Sequence, residues 1–356
     1  RFQRGLTLNW PANRHPTAPI PCSAPDLQPP HPYTRPVSGI TPEGSRPAID
    51  RHGDCQMATT GNTAPNPPIS RRIAMMNQKG GVGKTTTTVN LAAALARAGR
   101  RTLVVDLDPQ AHATLHLGVD PSQVNHSVYD LLLDPSLDPM IAVQEHRENL
   151  AILPSTTDLA AAEVELANVP DRQKRLDTVL SKLSSQYEFM FLDCPPSLGL
   201  LTLNGLTAAR EVLIPMQAHF LALQGVGKLL ETVQLVGQQL NSRLRVLGVI
   251  VCMYDPSSTH TREVVADLDQ FFESARDQEV PWRYARVFRP AVRRNIKLAE
   301  CPSFGKTIFE YAPEATGGLD YKILGDVLIR EWDQALGRPV PQVTVSARTQ
   351  PPVSST

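Results

Sequence analysis

The run Gln78-Lys79-Gly80-Gly81-Val82-Gly83-Lys84-Thr85-Thr86 puts two lysines among three glycines and ends on paired threonines. Glycines free of a Cβ let backbone N–H groups close around phosphate oxygens, a lysine reaches the β/γ-phosphates, and a hydroxyl binds Mg²⁺. The usual spacing, G-x-x-x-x-G-K-[ST], is met by Gly83, Lys84 and Thr85, but Gln78 stands at the first glycine position. The fit shifts to K-G-G-x-G-K-[ST]: Gly80, Gly81 and Gly83 supply the permissive backbone, Val82 is the spacer, and Lys79 is a second cation at the mouth of the loop. An extra lysine there needs an anion of its own.

Acids follow at positions suited to the same ligand. Phe191-Leu192-Asp193-Cys194-Pro195-Pro196 ends an apolar run on a carboxylate, as strands that hold Mg²⁺ directly or through water do. A strand ending in Asp is common by itself; downstream of a phosphate loop it gains meaning. Asp106-Leu107-Asp108-Pro109-Gln110 offers two more carboxylates, able to act on Mg²⁺ or an attacking water, or alternatively to cap a helix over Gln110 to Leu117; Asp108 is favoured as catalytic. His112 and His116 share the four-residue spacing of helical metal ligands, but no third ligand accompanies them, and they read as solvated surface residues. Cys22, Cys55, Cys194, Cys252 and Cys301 show no C-x-x-C pairing and read as reduced core or surface thiols. From Arg283 to Lys297 the chain carries Arg283, Arg286, Arg289, Arg293, Arg294 and Lys297 with no acid between them, a run suited to phosphate contacts or to a solvated face.

These residues need strands that end where the chemistry happens. Arg72 to Asn77 reads as a strand entering the loop, and a helix from about Lys84 to Arg97, rich in Leu and Ala and stopped at Gly99, leaves it. Its N-terminus would aim N–H groups and a positive dipole end at a phosphate. Further strands are expected at Arg101–Asp106, Phe189–Asp193, Glu211–Pro215 and Val246–Val251, and helices near 158–168, 171–186, 225–241, 260–276 and 319–336. Near-continuous apolar strands alternating with helices predict an α/β fold, a doubly wound, mostly parallel sheet with helices on both faces, whose ligands sit at the carboxyl ends of the strands.

Lys+Arg and Asp+Glu each number 35 in the 356 residues, so nucleic-acid binding would need a local patch and not a global field. Fourteen of the 32 prolines fall in residues 1–68, which lack apolar periodicity and are expected to be a disordered arm; an ATPase domain is expected at 69–338 and a Pro/Ser/Thr-rich loose tail at 339–356. The first methionine is Met57, and residues 1–56 are expected to come from a misplaced start or from processing, the alternative being a genuine disordered arm. No secretory h-region or membrane-length apolar run is present, and a cytoplasmic protein is expected.

Asn77 to Thr87, Val105 to Gln110, Leu192 to Ser197 and Leu298 to Lys306 together resemble the ParA family of partition ATPases, of the deviant-Walker group that also includes MinD and the nitrogenase iron protein. The likeness spans roughly residues 71–336. It implies an ATP- and Mg²⁺-dependent ATPase that sandwiches two ATP molecules in a homodimer. Lys79 would reach the partner's nucleotide, Lys84 bind phosphates in its own subunit, Thr85 ligate Mg²⁺, Asp108 position the attacking water and Asp193 support the metal's shell. The resemblance further implies non-specific, nucleoid-associated DNA binding by the ATP dimer, with Arg262, Arg294 and Lys297 the nearest matches to DNA-contacting positions. A ParB-type partner would stimulate hydrolysis, and the cargo would be a chromosome or plasmid.

Two departures qualify this. The loop after Ile214-Pro215 reads Gln217-Ala218-His219-Phe220 where the family often has an acid, and the N-terminal arm lacks a helix-turn-helix pattern, which points to the chromosomal type. Rival readings are a MinD-like membrane-associated ATPase, disfavoured by Asp320, Asp326, Glu331 and Asp333 in the last helix; an iron–sulfur reductase, disfavoured by the cysteine spacing; a small-molecule phosphotransferase; and a ParA-like positioner of another cargo.

Overall fold

A computed structural model describes residues 70–339. The proline-rich arm, with its expected start at Met57, and the tail beyond Pro339 lie outside the described residues.

Eight strands form one sheet: β1 (Arg71–Met75), β2 (Thr102–Asp106), β3 (Gln144–Arg147), β4 (Leu150–Leu153), β5 (Phe189–Asp193), β6 (Glu211–Gln217), β7 (Arg245–Cys252) and β8 (Arg286–Val287). Their order is β3-β4-β2-β5-β1-β6-β7-β8, and every pairing is parallel except β3 with β4. The helices are α1 (Lys84–Arg97), α2 (His112–His116), α3 (Val128–Leu133), α4 (Ala162–Glu165), α5 (Arg175–Leu183), α6 (Leu200–Ala208), α7 (Phe220–Gln239), α8 (Thr259–Ser274), α9 (Ile296–Glu300), α10 (Ile308–Tyr311) and α11 (Thr316–Ala335).

Strand side chains alternate between faces, and here both faces are covered. Ile73, Met75, Phe189 and Phe191 join one core with Leu91 and Leu95 of α1 and Tyr321, Leu324 and Leu328 of α11. The intervening Ala74, Met190 and Leu192 are equally inaccessible to solvent. Burial on both sides explains why these strands read as unbroken apolar runs.

Register fixes the site. Met75 of β1 and Asp106 of β2 both pair with Asp193 of β5, so three strands end level at their carboxyl ends. At the opposite end Glu211 accepts from Arg71 at 2.6 Å and from Arg245 at 2.7 Å, and Arg71 also donates to the Leu328 carbonyl at 2.8 Å, tying β1, β6 and β7 to α11.

The expected helix at 158–168 is instead a 3₁₀ turn (Thr157–Ala160) followed by the single turn α4. The expected helix at 171–186 begins as a 3₁₀ turn and is regular only over α5. No described helix is long and apolar enough to cross a membrane.

Candidate nucleotide site

The loop between β1 and α1 takes its shape from glycine. Gly81 and Gly83 have φ of +72° and +93°, a region costly for residues with a Cβ, and a Cβ added at Gly80 or Gly81 would meet nothing within 4 Å. These glycines line a cavity of about 1010 Å³ together with Lys79, Lys84, Thr85, Thr86 and Asp108. No side chain caps α1 and no acid sits in its first turn, so the helix end turns its N–H groups and dipole toward the loop.

The two lysines part company. Lys84 is buried, its Nζ 3.1 Å from Asp193 Oδ1 and 3.9 Å from Asp108 Oδ2. Burial works to lower its pKa, but the charges of Asp193 and Asp108 outweigh that and hold it above the ordinary lysine value. Lys79 is exposed, and Asn77 Oδ1 accepts from its backbone N–H at 2.9 Å.

Asp193 is fully buried and collects donors: Thr85 Oγ1 at 2.7 Å, Thr88 Oγ1 at 3.0 Å and Lys84. The run of four threonines that opens α1 thus supplies two hydroxyls to one carboxylate, and Thr88 was overlooked because the phosphate-loop pattern stops short of it. Asp106 does not face the phosphates as expected for one of two working carboxylates. It is buried, and its oxygens accept from Thr114 N, Thr114 Oγ1 and Asp108 N at 2.9, 2.8 and 3.1 Å. Burial, then the nearby Asp193, raise its pKa, and the three donors only partly offset them. Its position is that of a brace holding the turn that aims Asp108. Asp108 Oδ1 accepts from Gln110 N at 3.1 Å, whereas Oδ2 makes only the long contact with Lys84 among the described residues. The helix-capping alternative fails: α2 starts after Ala111 with no side-chain cap.

The donor set suits a nucleotide with its metal. Among the described residues no group of three His, Cys, Asp or Glu side chains gathers to bind an ion. Mg²⁺ at phosphate sites needs none, since it takes one or two protein oxygens and completes its shell with phosphate and water. Thr85 Oγ1, held by Asp193 at 2.7 Å, could offer such an oxygen.

His116 corrects the reading of surface histidines. His112 is exposed, but His116 is only 1% exposed, and its Nε2 has no hydrogen-bond partner among the described residues. The one-turn α2 is pressed against the segment 301–305, where a Cβ on Gly305 would lie 2.6 Å from Gly118 Cα. Burial pushes the His116 pKa down to about 4. The folded state therefore resists protonation while the unfolded chain accepts a proton near pH 6.5, so this histidine's contribution to stability is present above about pH 6.5 and lost as pH falls toward 4. Comparing melting of wild type with His116→Gln across that window should show the wild type losing about 3 kcal/mol relative to the variant; parallel pH curves would contradict the assignment.

The three predicted DNA-contacting residues are all exposed but differ in company. Most of the basic run is paired with acids: Arg286 with Glu331, Arg289 with Asp269 at 2.7 Å and Arg293 with Asp320 at 2.7 Å, all distant in sequence, and Lys297 with its neighbour Glu300 at 2.9 Å. Arg294 has no acidic partner among these pairs and shares a cavity of about 330 Å³ with Gly83 and Thr86, so it lies beside the phosphate loop despite its distance in sequence. Arg262 sits in the first turn of α8, with Nη2 donating to Thr259 Oγ1 at 3.1 Å.

A family profile described as an AAA domain matches residues 70–246. The chain is 43% identical over 263 residues to the chromosome partitioning protein ParA of Myxococcus xanthus, covering 74% of this chain and 89% of that protein. It is also 43% identical over 253 residues to the sporulation initiation inhibitor protein Soj of Bacillus subtilis, covering 71% and 96%. Among solved structures it is similar to cobyrinic acid a,c-diamide synthase from Mycobacterium smegmatis with bound ADP and magnesium, with a TM-score of 0.63 and 38% identity over 77% of this chain and 98% of that one. That protein's name, a small-molecule synthase, differs from those of the two sequence relatives, whose identity to this chain is higher.

Proposed function

The chain belongs to the ParA/Soj family of partition ATPases, and from that premise we propose that it dimerises around two ATP molecules, binds DNA without sequence preference in that state, and is released when a ParB-type partner stimulates hydrolysis. It is an ATP-hydrolysing enzyme that uses ATP with Mg²⁺. The observation that carries the dimer reading is the division of labour in one loop, with Lys84 buried against Asp193 and Lys79 exposed. A lysine already serves the subunit's own phosphates, so the exposed one is available to a second nucleotide.

Within the ATPase domain we assign to residues 69–338, each group has a separate task. Gly80, Gly81, Val82 and Gly83 wrap the phosphates with backbone N–H groups, and Lys84 neutralises their charge. Thr85 ligates the metal, Asp193 fixes the Thr85 hydroxyl, and Thr86 extends the helix end. A Mg²⁺ held through Thr85 would neutralise charge on the phosphates. Asp108, which lines the cavity beside Lys84, orients the attacking water.

DNA binding follows from the dimer, which doubles the basic contacts offered to one duplex. Each phosphate contact releases counterions, so affinity should fall steeply with salt for any sequence. Arg294 is a poor probe because it adjoins the phosphate loop; Arg262→Glu with Lys297→Glu is cleaner. A mobility assay on unrelated duplexes should give tight binding in ATP and weak binding in ADP, with the double variant losing about 100-fold in affinity at low salt while still dimerising. Wild type that ignores DNA in ATP but sediments with anionic vesicles would replace this reading with the MinD-like one. Against that alternative, Tyr321, Leu324 and Leu328 of α11 are already committed to the core beside α1.

A further inference from the structure

Lys79 is exposed but not idle: its ammonium nitrogen lies 2.7 Å from Nε2 of His219. An ammonium has protons to give and no lone pair to offer, so Nε2 is the acceptor and the imidazole is neutral, with its proton on Nδ1. An imidazolium in this place would set two cations in contact. The surroundings favour neutrality. Partial burial depresses the His219 pKa most, followed by the charges of Lys79 and of His260 on α8, and these two are the titratable groups that face it.

The segment carrying His219 is itself fastened to the phosphate loop. Asn77 Nδ2 donates to the Pro215 carbonyl at 2.8 Å, and Gln217 Nε2 donates to the Gly81 carbonyl at 3.2 Å. Asn77 also accepts the Lys79 backbone N–H, so one side chain sets both the lysine's own backbone and the end of β6. His219 occupies the position just before α7, between the end of β6 and that helix, and its side chain makes no capping bond to the helix. Lysine and histidine are thus brought together by a built junction and not by the chance meeting of two long side chains.

We propose that His219 is a positioning residue for Lys79, holding the lysine on its own subunit until dimerisation draws it to the partner's nucleotide. This rests on the reading that Lys79 acts across the dimer. Because a symmetric dimer must release two such contacts, a modest latch counts twice in the dimerisation constant. A neutral imidazole holds an ammonium less strongly than a carboxylate would. The latch therefore restrains Lys79 without disabling it.

The test is dimerisation of the full chain in ATP, followed by sedimentation across a concentration series. His219→Ala should dimerise at roughly tenfold lower protein concentration, and His219→Asp at roughly tenfold higher. ATP affinity of the monomer, read with a fluorescent analogue, should be unchanged in both. Wild-type dimerisation should strengthen as pH falls below the ordinary histidine range, because protonation expels Lys79, and His219→Ala should lack that step. In a Lys79→Ala background the His219 substitutions should have no effect. Wild-type dimerisation constants in both His219 variants, with Lys79→Ala still unable to dimerise, would remove the latch and leave the cross-subunit lysine standing. Normal dimerisation by Lys79→Ala would overturn the underlying reading, and the latch with it.

Discussion

Asp108→Ala is expected to slow ATP turnover by about 100-fold while leaving ATP binding and ATP-driven dimerisation in place. The geometry separates the two effects. Lys84 keeps its 3.1 Å contact with Asp193, and Asp193 keeps the Thr85 and Thr88 hydroxyls, so the groups assigned to phosphate and metal retain their nearest partners without Asp108. What is lost is a carboxylate that lines the cavity. The turn should survive, because the Asp108 backbone stays tied: its carbonyl accepts from Ser155 Oγ at 2.9 Å and its N–H donates to Asp106 at 3.1 Å. Single-turnover hydrolysis beside nucleotide titration decides the point. Equal losses in affinity and turnover would make Asp108 a phosphate- or metal-holding group instead.

Lys79→Ala has the opposite profile. ATP should still bind through Lys84, but the dimer should weaken by about three orders of magnitude or more, and hydrolysis should fall with it. Removing one partner of a desolvated charge contact costs several kcal/mol, and two such contacts are lost per symmetric dimer. The fold should be indifferent, since Lys79 is exposed and its side-chain contact is to His219 alone among the described residues.

The parts of this molecule that were legible in its sequence are those governed by local chemistry. α1 runs from Lys84 to Arg97 as expected because glycines bound it on both sides, Gly83 and Gly99 both at positive φ. Strands β1, β2, β5, β6 and β7 announced themselves as apolar runs because both faces of the sheet are covered. The edges did not. β3 has the alternating exposure of a strand with one face open, and β8 is two residues long, too short for any periodicity. The short antiparallel turn from β3 to β4 left β4, apolar throughout, without the flanking helices that marked the other strands.

Long-range pairing was the larger gap. The basic run at 283–297 looked unopposed because, apart from Glu300 just beyond it, its acids arrive from α8 and α11: Asp269 is 20 residues from Arg289, and Asp320 is 27 from Arg293. A linear reading sees the charge but not its partner. His116 was misplaced for a similar reason, since four-residue spacing places two histidines on one face without saying which of them packs inward. His219 was noticed only as a departure from an expected acid; its contact with Lys79, 140 residues away, needed the fold.

The account turns on whether the exposed lysine serves a second subunit. Equilibrium sedimentation of full-length wild type and Lys79→Ala, each with Mg²⁺ and a slowly hydrolysed ATP analogue, measures this most directly. Wild type should approach twice the 39.0 kDa chain mass and Lys79→Ala should remain at the single mass with its nucleotide bound. A Lys79→Ala chain that doubles its mass at the same concentration as wild type would contradict the account.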